Sequence, residues 1–252
     1  MINPMDLENR TILVTGASSG IGRETAFLLS QLGARLILVG RNLTQLEKTL
    51  TLLDGSSHQV QVFDLSLVDE IPRWIKEITS KTGTLHGLVH SAGMQFTSPL
   101  RIMTSANLDE LMRVNVTAAL FLAKGFRQKG VSAAGGSLVY LSSVMGVVGQ
   151  AGQAAYSASK GALVSLTKSL ALELSRENIR VNCVAPAVVS TEMSEKLFQL
   201  LTPEQVTQIK SMHPLGLGAP RDVANAIAFL LADTGRWITG TTMVVDGGYT
   251  AH

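Results

Sequence analysis

A tyrosine and a lysine stand four residues apart in the segment Y-S-A-S-K, at Tyr156 and Lys160. On a helix, residues at positions i and i+4 share one face, with Cβ atoms about 5–6 Å apart. A cation this close favours the phenolate and lowers the pKa of the tyrosine from its usual value of about 10. The spacing therefore indicates an acid/base pair, although Tyr and Lys are common residues that also meet by chance on helix surfaces.

A second chemical feature is the segment T-G-A-S-S-G-I-G, which follows an apolar run and begins an amphipathic one. Gly16, Gly20 and Gly22 permit a tight turn and a close approach of the backbone to a ligand, and the next helix offers free N–H groups at its N-terminus. Ser18 and Ser19 add hydroxyl donors. The context predicts a site for the diphosphate of a dinucleotide, although the spacing differs from the G-x-G-x-x-G of other dinucleotide-binding folds.

The residues that follow the second and third apolar runs bear on which dinucleotide is accepted. Gly40 and Arg41 follow R-L-I-L-V, where an acidic residue would bind the ribose hydroxyls of NAD and an arginine suits the 2′-phosphate of NADP. NADP(H) is therefore favoured over NAD(H), unless Arg41 points into solvent or stacks on adenine. Asp64 ends the third run, where its carboxylate could accept from the adenine amino group or cap the next helix.

These features need a scaffold, which the alternation of short apolar runs with longer amphipathic ones supplies. The runs with the composition of buried strands are 11–15, 35–39, 59–63, 86–90, 137–141, 180–184 and 242–246. Nearly apolar strands separated by helices are typical of a parallel sheet covered on both faces. We therefore predict one α/β domain over 1–252, a Rossmann-type doubly wound parallel sheet of about seven strands.

Residues 192–218 interrupt this alternation, because they are too many for a simple connection between the sixth and seventh strands. We expect one or two short helices there that form a substrate lid. Near-helical spacing places Met193, Leu197, Leu200 and Leu201 on its inner face, with Met212 beside them. Ordinary packing of this segment on the body is the alternative.

Composition restricts the partners and the compartment. The chain of 252 residues has a formal net charge of +2 with scattered basic residues, which argues against nucleic acid as a partner. No secretory signal is recognisable at the N-terminus, and no uncharged apolar run reaches the roughly 18 residues of a membrane span. The single cysteine, Cys183, suits a reducing compartment. A cytoplasmic protein without a metal site or a membrane is expected.

The ordered set of segments resembles the short-chain dehydrogenase/reductase family. The shared segments are T-G-A-S-S-G-I-G, M-R-V-N-V-T-A, S-S at 142–143, Y-S-A-S-K, N-C-V-A-P and V-V-D-G-G, which together span essentially the whole chain. Ser143 lies thirteen residues before Tyr156, as the family pattern requires. The final T-G-T-T-M-V-V-D-G-G is most similar to that of the 3-oxoacyl-carrier-protein reductases.

The resemblance implies a catalytic set and a cofactor site. Tyr156 would exchange a proton with the substrate oxygen, while Lys160 would lower the Tyr156 pKa and bind the nicotinamide ribose. Ser143 would orient the carbonyl, and Asn115 would hold a water that links Lys160 to solvent. The implied cofactor-binding residues are Gly16, Ser18, Ser19, Gly20, Ile21, Gly22, Arg41, Asp64, Leu65, Ala92, Gly93, Tyr156, Lys160, Pro186, Val189 and Thr191.

Two segments depart from the family pattern. The Asn-Asn-Ala-Gly expected after the fourth strand reads H-S-A-G from His90 to Gly93. The Pro-Gly expected after the sixth strand reads Pro186-Ala187, and alanine would poorly replace a glycine with positive φ. Backbone support for the cofactor is the property that these departures affect.

The implied function is the NADPH-dependent, reversible reduction of a carbonyl to a hydroxyl, with a 3-oxoacyl thioester as one substrate. A sugar, steroid or other small alcohol or ketone is the alternative, and a non-catalytic cofactor sensor is a minor one. The resemblance also implies a homotetramer. A patch of Lys124, Arg127, Lys129 and Arg176 could dock a carrier protein, or it could be an ordinary solvated face.

Overall fold

The structure, a computed structural model, describes residues 3–251. Its strands form one parallel seven-stranded sheet in the order β3-β2-β1-β4-β5-β6-β7. The strands are β1 (Thr11–Thr15), β2 (Arg35–Gly40), β3 (Gln59–Val62), β4 (Leu85–His90), β5 (Ser132–Leu141), β6 (Arg180–Pro186) and β7 (Thr242–Val245). The predicted doubly wound Rossmann-type sheet is confirmed.

Helices connect the strands and cover the sheet. They are α1 (Gly20–Gln31), α2 (Leu43–Leu50), α3 (Ile71–Thr82), α4 (Ser105–Met112), α5 (Ala118–Phe126), α6 (Ala154–Leu174), α7 (Glu192–Phe198), α8 (Pro203–Ser211) and α9 (Pro220–Leu231). A π-helical turn, Arg113–Thr117, joins α4 to α5. Within residues 3–251, no helix combines the length and the apolar character that crossing a membrane requires.

The core lies on both faces of the sheet, which explains why the central strands are almost entirely apolar. Successive residues of a strand point to opposite faces. Leu13 packs in the cluster that includes Leu122 and Phe126 of α5, whereas Ile12 and Val14 pack in the cluster that includes α1 and α9. Each central strand therefore needs apolar side chains at every position.

One strand differs from the prediction at its start. The strand expected at 137–141 begins at Ser132, and its pairing with β4 shifts register between Leu85 and Gly87. Gly135 in this irregular stretch has a φ of +77°. The continuous apolar run begins only after this irregularity, so it could not show the first half of the strand.

The topology brings the polar segments together. In a parallel sheet all carboxyl ends lie at one edge, and the strand order reverses direction between β1 and β4. The glycine turn after β1, the H-S-A-G segment after β4, the Ser142–Ser143 pair after β5 and the segment after β6 all leave this edge. The edge is therefore where a ligand site is expected.

The connection between β6 and β7 contains the two short helices α7 and α8. Leu200 was predicted on the inner face but is 84% exposed. The prediction for Leu200 was wrong because α7 ends at Phe198, so helical spacing no longer decides where Leu200 points. Met193, Leu197, Leu201 and Met212 line the large cavity described below.

Close packing of backbone in the glycine turn generates a stability prediction. A Cβ atom on Gly22 would lie 2.2 Å from the carbonyl oxygen of Gly16. We expect Gly22→Ala to lower the free energy of unfolding by about 1–3 kcal/mol, the usual range for overpacking. Gly149→Ala is the control, because no atom lies within 4 Å of its added Cβ. Urea denaturation measures both, and a wild-type midpoint for Gly22→Ala would contradict the prediction.

Candidate active site

The loops at the carboxyl edge of the sheet surround a cavity of about 930 Å³. The predicted residues that line it are Gly16, Ser18, Ser19, Gly20, Ile21, Gly22, Arg41, Asp64, Leu65, Ala92, Gly93, Ser143, Tyr156, Lys160, Pro186, Val189 and Thr191. Asn115 does not line the cavity and lies buried behind its wall. The structure therefore brings the predicted residues to one place from segments far apart in the chain.

The glycine turn has the form of a cradle for an anion. Gly16 and Gly20 have φ values of +69° and +50°, and a Cβ on Gly16 would lie 2.7 Å from the amide nitrogen of Ala92. Helix α1 begins at Gly20, and Ser19 at its N-cap makes no side-chain capping bond. The first N–H groups of α1 are thus left for a ligand. These residues fit the diphosphate of a dinucleotide.

The ends of β2 and β3 form the next part of the wall. A Cβ on Gly40 would lie 3.3 Å from Cδ2 of Leu46, so Gly40 keeps this corner free of a side chain. Arg41 is exposed and forms no ion pair with the residues described between 3 and 251. Its guanidinium is therefore available to a phosphate.

Asp64 lines the cavity but does not cap the next helix. Its carboxylate accepts a hydrogen bond from the Ser66 amide at 2.9 Å, whereas the short helix begins only at Val68. The Ser66 backbone bond, with a smaller contribution from Arg41, holds the pKa of Asp64 below its usual value. Of its two predicted roles, the cap is wrong, and the carboxylate stays ionised beside the cavity.

Helix α6 and the end of β5 position the candidate catalytic groups. Lys160 is only 5% exposed, and its Nζ donates a hydrogen bond to the Leu141 carbonyl at 2.8 Å. The same Nζ lies 5.7 Å from the centre of the Tyr156 ring. Ser143 begins the short turn after β5, where its Oγ accepts from the Met145 amide at 3.2 Å. A phenol, a hydroxyl and an ammonium therefore meet in one wall of the cavity.

Burial sets the protonation of these groups. It raises the pKa of Tyr156 to about 12, although the neighbouring Ser143 hydroxyl lowers it in part. It lowers the pKa of Lys160 to about 8. The predicted lowering of the Tyr156 pKa is wrong for this arrangement, because desolvation of the phenolate raises the pKa more than the Ser143 hydroxyl lowers it. Tyr156 is therefore a neutral proton donor at pH 7.

Asn115 lies in the π-helical turn and connects two parts of the site. Its Nδ2 donates to the Met94 carbonyl and to Ser159 Oγ, both at 3.0 Å. Its Oδ1 accepts from the Met94 amide at 2.9 Å. The side chain thus fixes the segment after β4 against α6, one residue from Lys160.

His90 is buried beneath the site, with 1% exposure, and does not line the cavity. Thr15 Oγ1 accepts from the Ala92 amide at 3.2 Å and lies 2.9 Å from His90 Nδ1. Thr15 thus joins the imidazole to the backbone of the segment that follows β4. Burial and the charge of Lys160 lower the pKa of His90 to about 3, so the imidazole is neutral. Its position supports the backbone beside the cavity.

Ala187, which stands where the family pattern has glycine, causes no backbone strain. Ala187 lines the cavity. The only residues other than glycine with positive φ among those described, 3–251, are Asn9 and Asn178. Ala187 therefore has a backbone conformation that alanine adopts without strain.

Several residues of the wall had not been predicted from the sequence. They include Met94, Gln95, Thr97, Glu110, Met145, Gln150, Gln153, Gln205, Gln208 and Tyr249. Only two of them could have been inferred from their closeness to a motif. Gln153 precedes Tyr156 by three residues, and Tyr249 follows the final D-G-G. In the described chain from 3 to 251, no three His, Cys, Asp or Glu side chains gather as a metal site would require.

Known proteins match the chain over nearly its whole length. A family model described as enoyl-(acyl carrier protein) reductase matches residues 16–250. A 3-oxoacyl-(acyl-carrier-protein) reductase of Rickettsia prowazekii is 36% identical over 97% of this chain and 98% of its own length. A glucose 1-dehydrogenase of Gluconobacter oxydans is 34% identical over 96% of this chain and 92% of its own length.

Solved structures agree with the sequence matches. A short-chain type dehydrogenase/reductase from Mycobacterium ulcerans has a TM-score of 0.91 and 31% identity to this chain. The likeness covers 98% of this chain and 92% of that one. The resemblance read from the motifs is therefore confirmed by the sequence and by the fold.

The buried His90 predicts a loss of stability in acid. Its pKa is about 3 in the folded chain and about 6.5 when unfolded, so the unfolded state binds an extra proton between these values. Stability is lost as the pH falls from about 6.5 toward 3, by about 1.4 kcal/mol per pH unit. We expect His90→Asn to remove this slope in urea denaturation between pH 4 and 6. Equal slopes in both proteins would contradict the prediction.

Proposed function

Because the chain belongs to the short-chain dehydrogenase/reductase family, we propose that it is an NADPH-dependent oxidoreductase that reversibly reduces a substrate carbonyl to a hydroxyl. The observation that carries this proposal is the meeting of Ser143, Tyr156 and Lys160 in the cavity that also contains the glycine turn. The bound nicotinamide supplies the hydride. A carbonyl oxygen suits the paired hydroxyls of Ser143 and Tyr156.

Each catalytic residue has a role that follows from its surroundings. Tyr156, neutral at pH 7, donates its proton to the substrate oxygen. The Lys160 ammonium then stabilises the phenolate that remains, at a distance of 5.7 Å from the ring centre. Ser143 donates a hydrogen bond to the same oxygen and orients it. Asn115 keeps α6 and the segment after β4 in register around these groups.

The glycine turn and the adenosine end account for cofactor binding. The free N–H groups of α1 receive the diphosphate, and Arg41 receives the 2′-phosphate that distinguishes NADP from NAD. Asp64 accepts from the adenine amino group. The remaining residues proposed to contact the cofactor are Ile21, Leu65, Ala92, Gly93, Pro186, Val189 and Thr191.

Residues 192–218 act as a lid on one NAD(P)-binding domain that spans the chain. Leu197, Leu201 and Met212 line the cavity from this segment. Thr191 begins α7 with a capping box and lies over the glycine turn, where a Cβ on Gly20 would be 3.4 Å from its Cγ2. The lid therefore adjoins the cofactor cradle and supplies apolar surface to the substrate.

Two substrate classes correspond to the named relatives, a 3-oxoacyl thioester and a sugar or other small alcohol or ketone. One observation favours the second. Arg127, central to the candidate docking patch for a carrier protein, forms ion pairs with Glu177 and Glu173. Its hydrogen bond to Glu177 raises the pKa of Arg127. The positive charge at the centre of the patch is thus compensated within the chain.

The proton donor is tested by Tyr156→Phe. We expect turnover to fall by about 10²–10⁴-fold, the usual contribution of general acid catalysis, while NADPH still binds because the ring remains. Carbonyl-dependent loss of NADPH absorbance measures turnover, and NADPH fluorescence measures binding. Turnover within about twofold of wild type would refute the role. A wild-type protein that binds NADPH but reduces no carbonyl would indicate a sensor.

The cofactor preference is tested by Arg41→Ala. Hydrogen bonds to charged groups contribute about 1.5–3 kcal/mol, and about 1.4 kcal/mol is tenfold. We therefore expect kcat/KM for NADPH to fall by about ten- to a hundredfold, with little change for NADH. Comparable efficiency with both cofactors in the wild type would overturn the preference, and an unchanged ratio in the variant would show that Arg41 is not its source.

A cytoplasmic homotetramer is the proposed assembly. Leu172 on α6 is 79% exposed and Leu120 on α5 is 43% exposed, and β7 is an edge strand with one side unpaired by the described residues 3–251. Contact with further copies would cover these surfaces. Sedimentation at micromolar concentration should give four times the chain mass of 26.8 kDa. A monomer would contradict the assembly.

A further inference from the structure

The part of the cavity beyond the cofactor cradle has a polar wall built largely from carboxamides. Gln95 follows β4, Gln150 and Gln153 precede α6, and Gln205 and Gln208 lie on α8. A carboxamide carries donors and an acceptor without a net charge. Five such groups from three separate segments match a ligand that has several uncharged hydrogen-bonding groups of its own.

The charges in the cavity point in the same direction. Among the lining residues, Lys160 belongs to the catalytic group and Arg41 lies at the adenosine end. The carboxylates of the wall besides Asp64 are Glu110 on α4 and Glu192 on α7, of which Glu192 is paired with Arg23 at 3.3 Å. A substrate phosphate or carboxylate would therefore find no cation dedicated to it among the lining residues. An uncharged substrate is therefore favoured.

Gln153 is the most constrained of these carboxamides. It is 5% exposed and precedes Tyr156 by three residues. Its Nε2 donates to Thr97 Oγ1 at 2.8 Å, and the amide of the adjacent Ser98 donates to the Gly152 carbonyl at 2.9 Å. The Oε1 atom has no hydrogen-bond partner among the described residues. A buried acceptor without a donor is unfavourable, so a ligand donor would stabilise it.

We propose that the substrate of the reaction proposed above is an uncharged hydroxyketone, and that Gln153 Oε1 accepts a hydrogen bond from its hydroxyl. A sugar without phosphate or carboxylate belongs to this class. In the reduction, the carbonyl π bond breaks, the carbon gains hydride from NADPH and the oxygen gains the Tyr156 proton. The products are a diol and NADP⁺. Apolar side chains such as Met94, Met145 and Met212 suit the C–H surface of such a molecule.

Four ketones that share one reacting group test the proposal. They are 4-hydroxybutan-2-one, pentan-2-one, acetoacetate and the N-acetylcysteamine thioester of 3-oxobutanoate. The first two differ by a hydroxyl in place of a methyl group, the third adds a negative charge, and the fourth is a 3-oxoacyl thioester. We expect kcat/KM with NADPH to be highest for the hydroxyketone, about three- to tenfold above pentan-2-one for one hydrogen bond, and lowest for acetoacetate.

Two variants test whether Gln153 is the source of the preference for the hydroxyketone over pentan-2-one. Gln153→Leu should bring the ratio of kcat/KM for the hydroxyketone and pentan-2-one to about one, because only the hydroxyketone loses a hydrogen bond. Gln199→Leu is the matched control, because Gln199 directly follows α7 and does not line the cavity. It should keep the wild-type ratio.

A binding measurement separates this proposal from the reaction itself. Butane-1,3-diol and pentan-2-ol are the alcohols that correspond to the first two ketones. Calorimetric titration into the protein saturated with NADP⁺ should show the diol binding about three- to tenfold more tightly. Gln153→Leu should abolish this difference. Equal affinities, a thioester or acetoacetate as best substrate, or an unchanged ratio in Gln153→Leu would overturn the proposal. If the protein reduced none of the four ketones, the proposed function would be contradicted. The affinities of the two alcohols would still decide whether Gln153 binds a hydroxyl.

Discussion

The burial of one ammonium group, that of Lys160, constrains the centre of the molecule. A cation removed from water is unfavourable unless its hydrogen bonds are replaced, and here the Leu141 carbonyl at the end of β5 replaces one of them. The packing around Lys160 leaves little room for side chains at two nearby positions. A Cβ on Gly93 would lie 3.4 Å from Nζ, and one on Gly146 would lie 2.9 Å from the Lys160 carbonyl oxygen. Glycine therefore suits positions 93 and 146, because a larger residue would crowd Lys160.

The same constraint connects the chemistry with the sheet. Ser142, directly after β5, donates through Oγ to the Lys160 carbonyl at 2.8 Å, and the buried Asn115 binds the adjacent Ser159. These bonds join α6 to the end of β5 and, through the contacts of Asn115 with Met94, to the segment after β4. The position of Tyr156 on α6 is therefore fixed relative to the sheet. Catalytic geometry of this kind is more exact on rigid elements. Helices α7 and α8 and the segments that carry the glutamines form another part of the cavity wall.

Local patterns in the sequence were sufficient for the sheet and for most of the site, because strands buried on both faces are almost wholly apolar and the loops that follow them share one edge. Properties that arise from burial could not be read in this way. The sign of the Tyr156 pKa shift depends on desolvation, which no i, i+4 spacing reveals. The spacing of Leu200 also could not show that α7 ends at Phe198. The constraint on Gln153 comes from its hydrogen bond to Thr97, a residue far away in the chain.

The π-helical turn between α4 and α5 makes chain length as important to the site as side-chain chemistry. It holds one extra residue compared with a continuous α-helix, and Asn115 is inside it. Loss of a single residue from 113–117 would rotate everything on one side of the deletion by about 100°, since an α-helix has 3.6 residues per turn. Either Asn115 would leave Met94, or the buried Leu122 and Phe126 would turn out of the core. Relatives that share this architecture should therefore tolerate substitutions in this stretch far more readily than insertions or deletions.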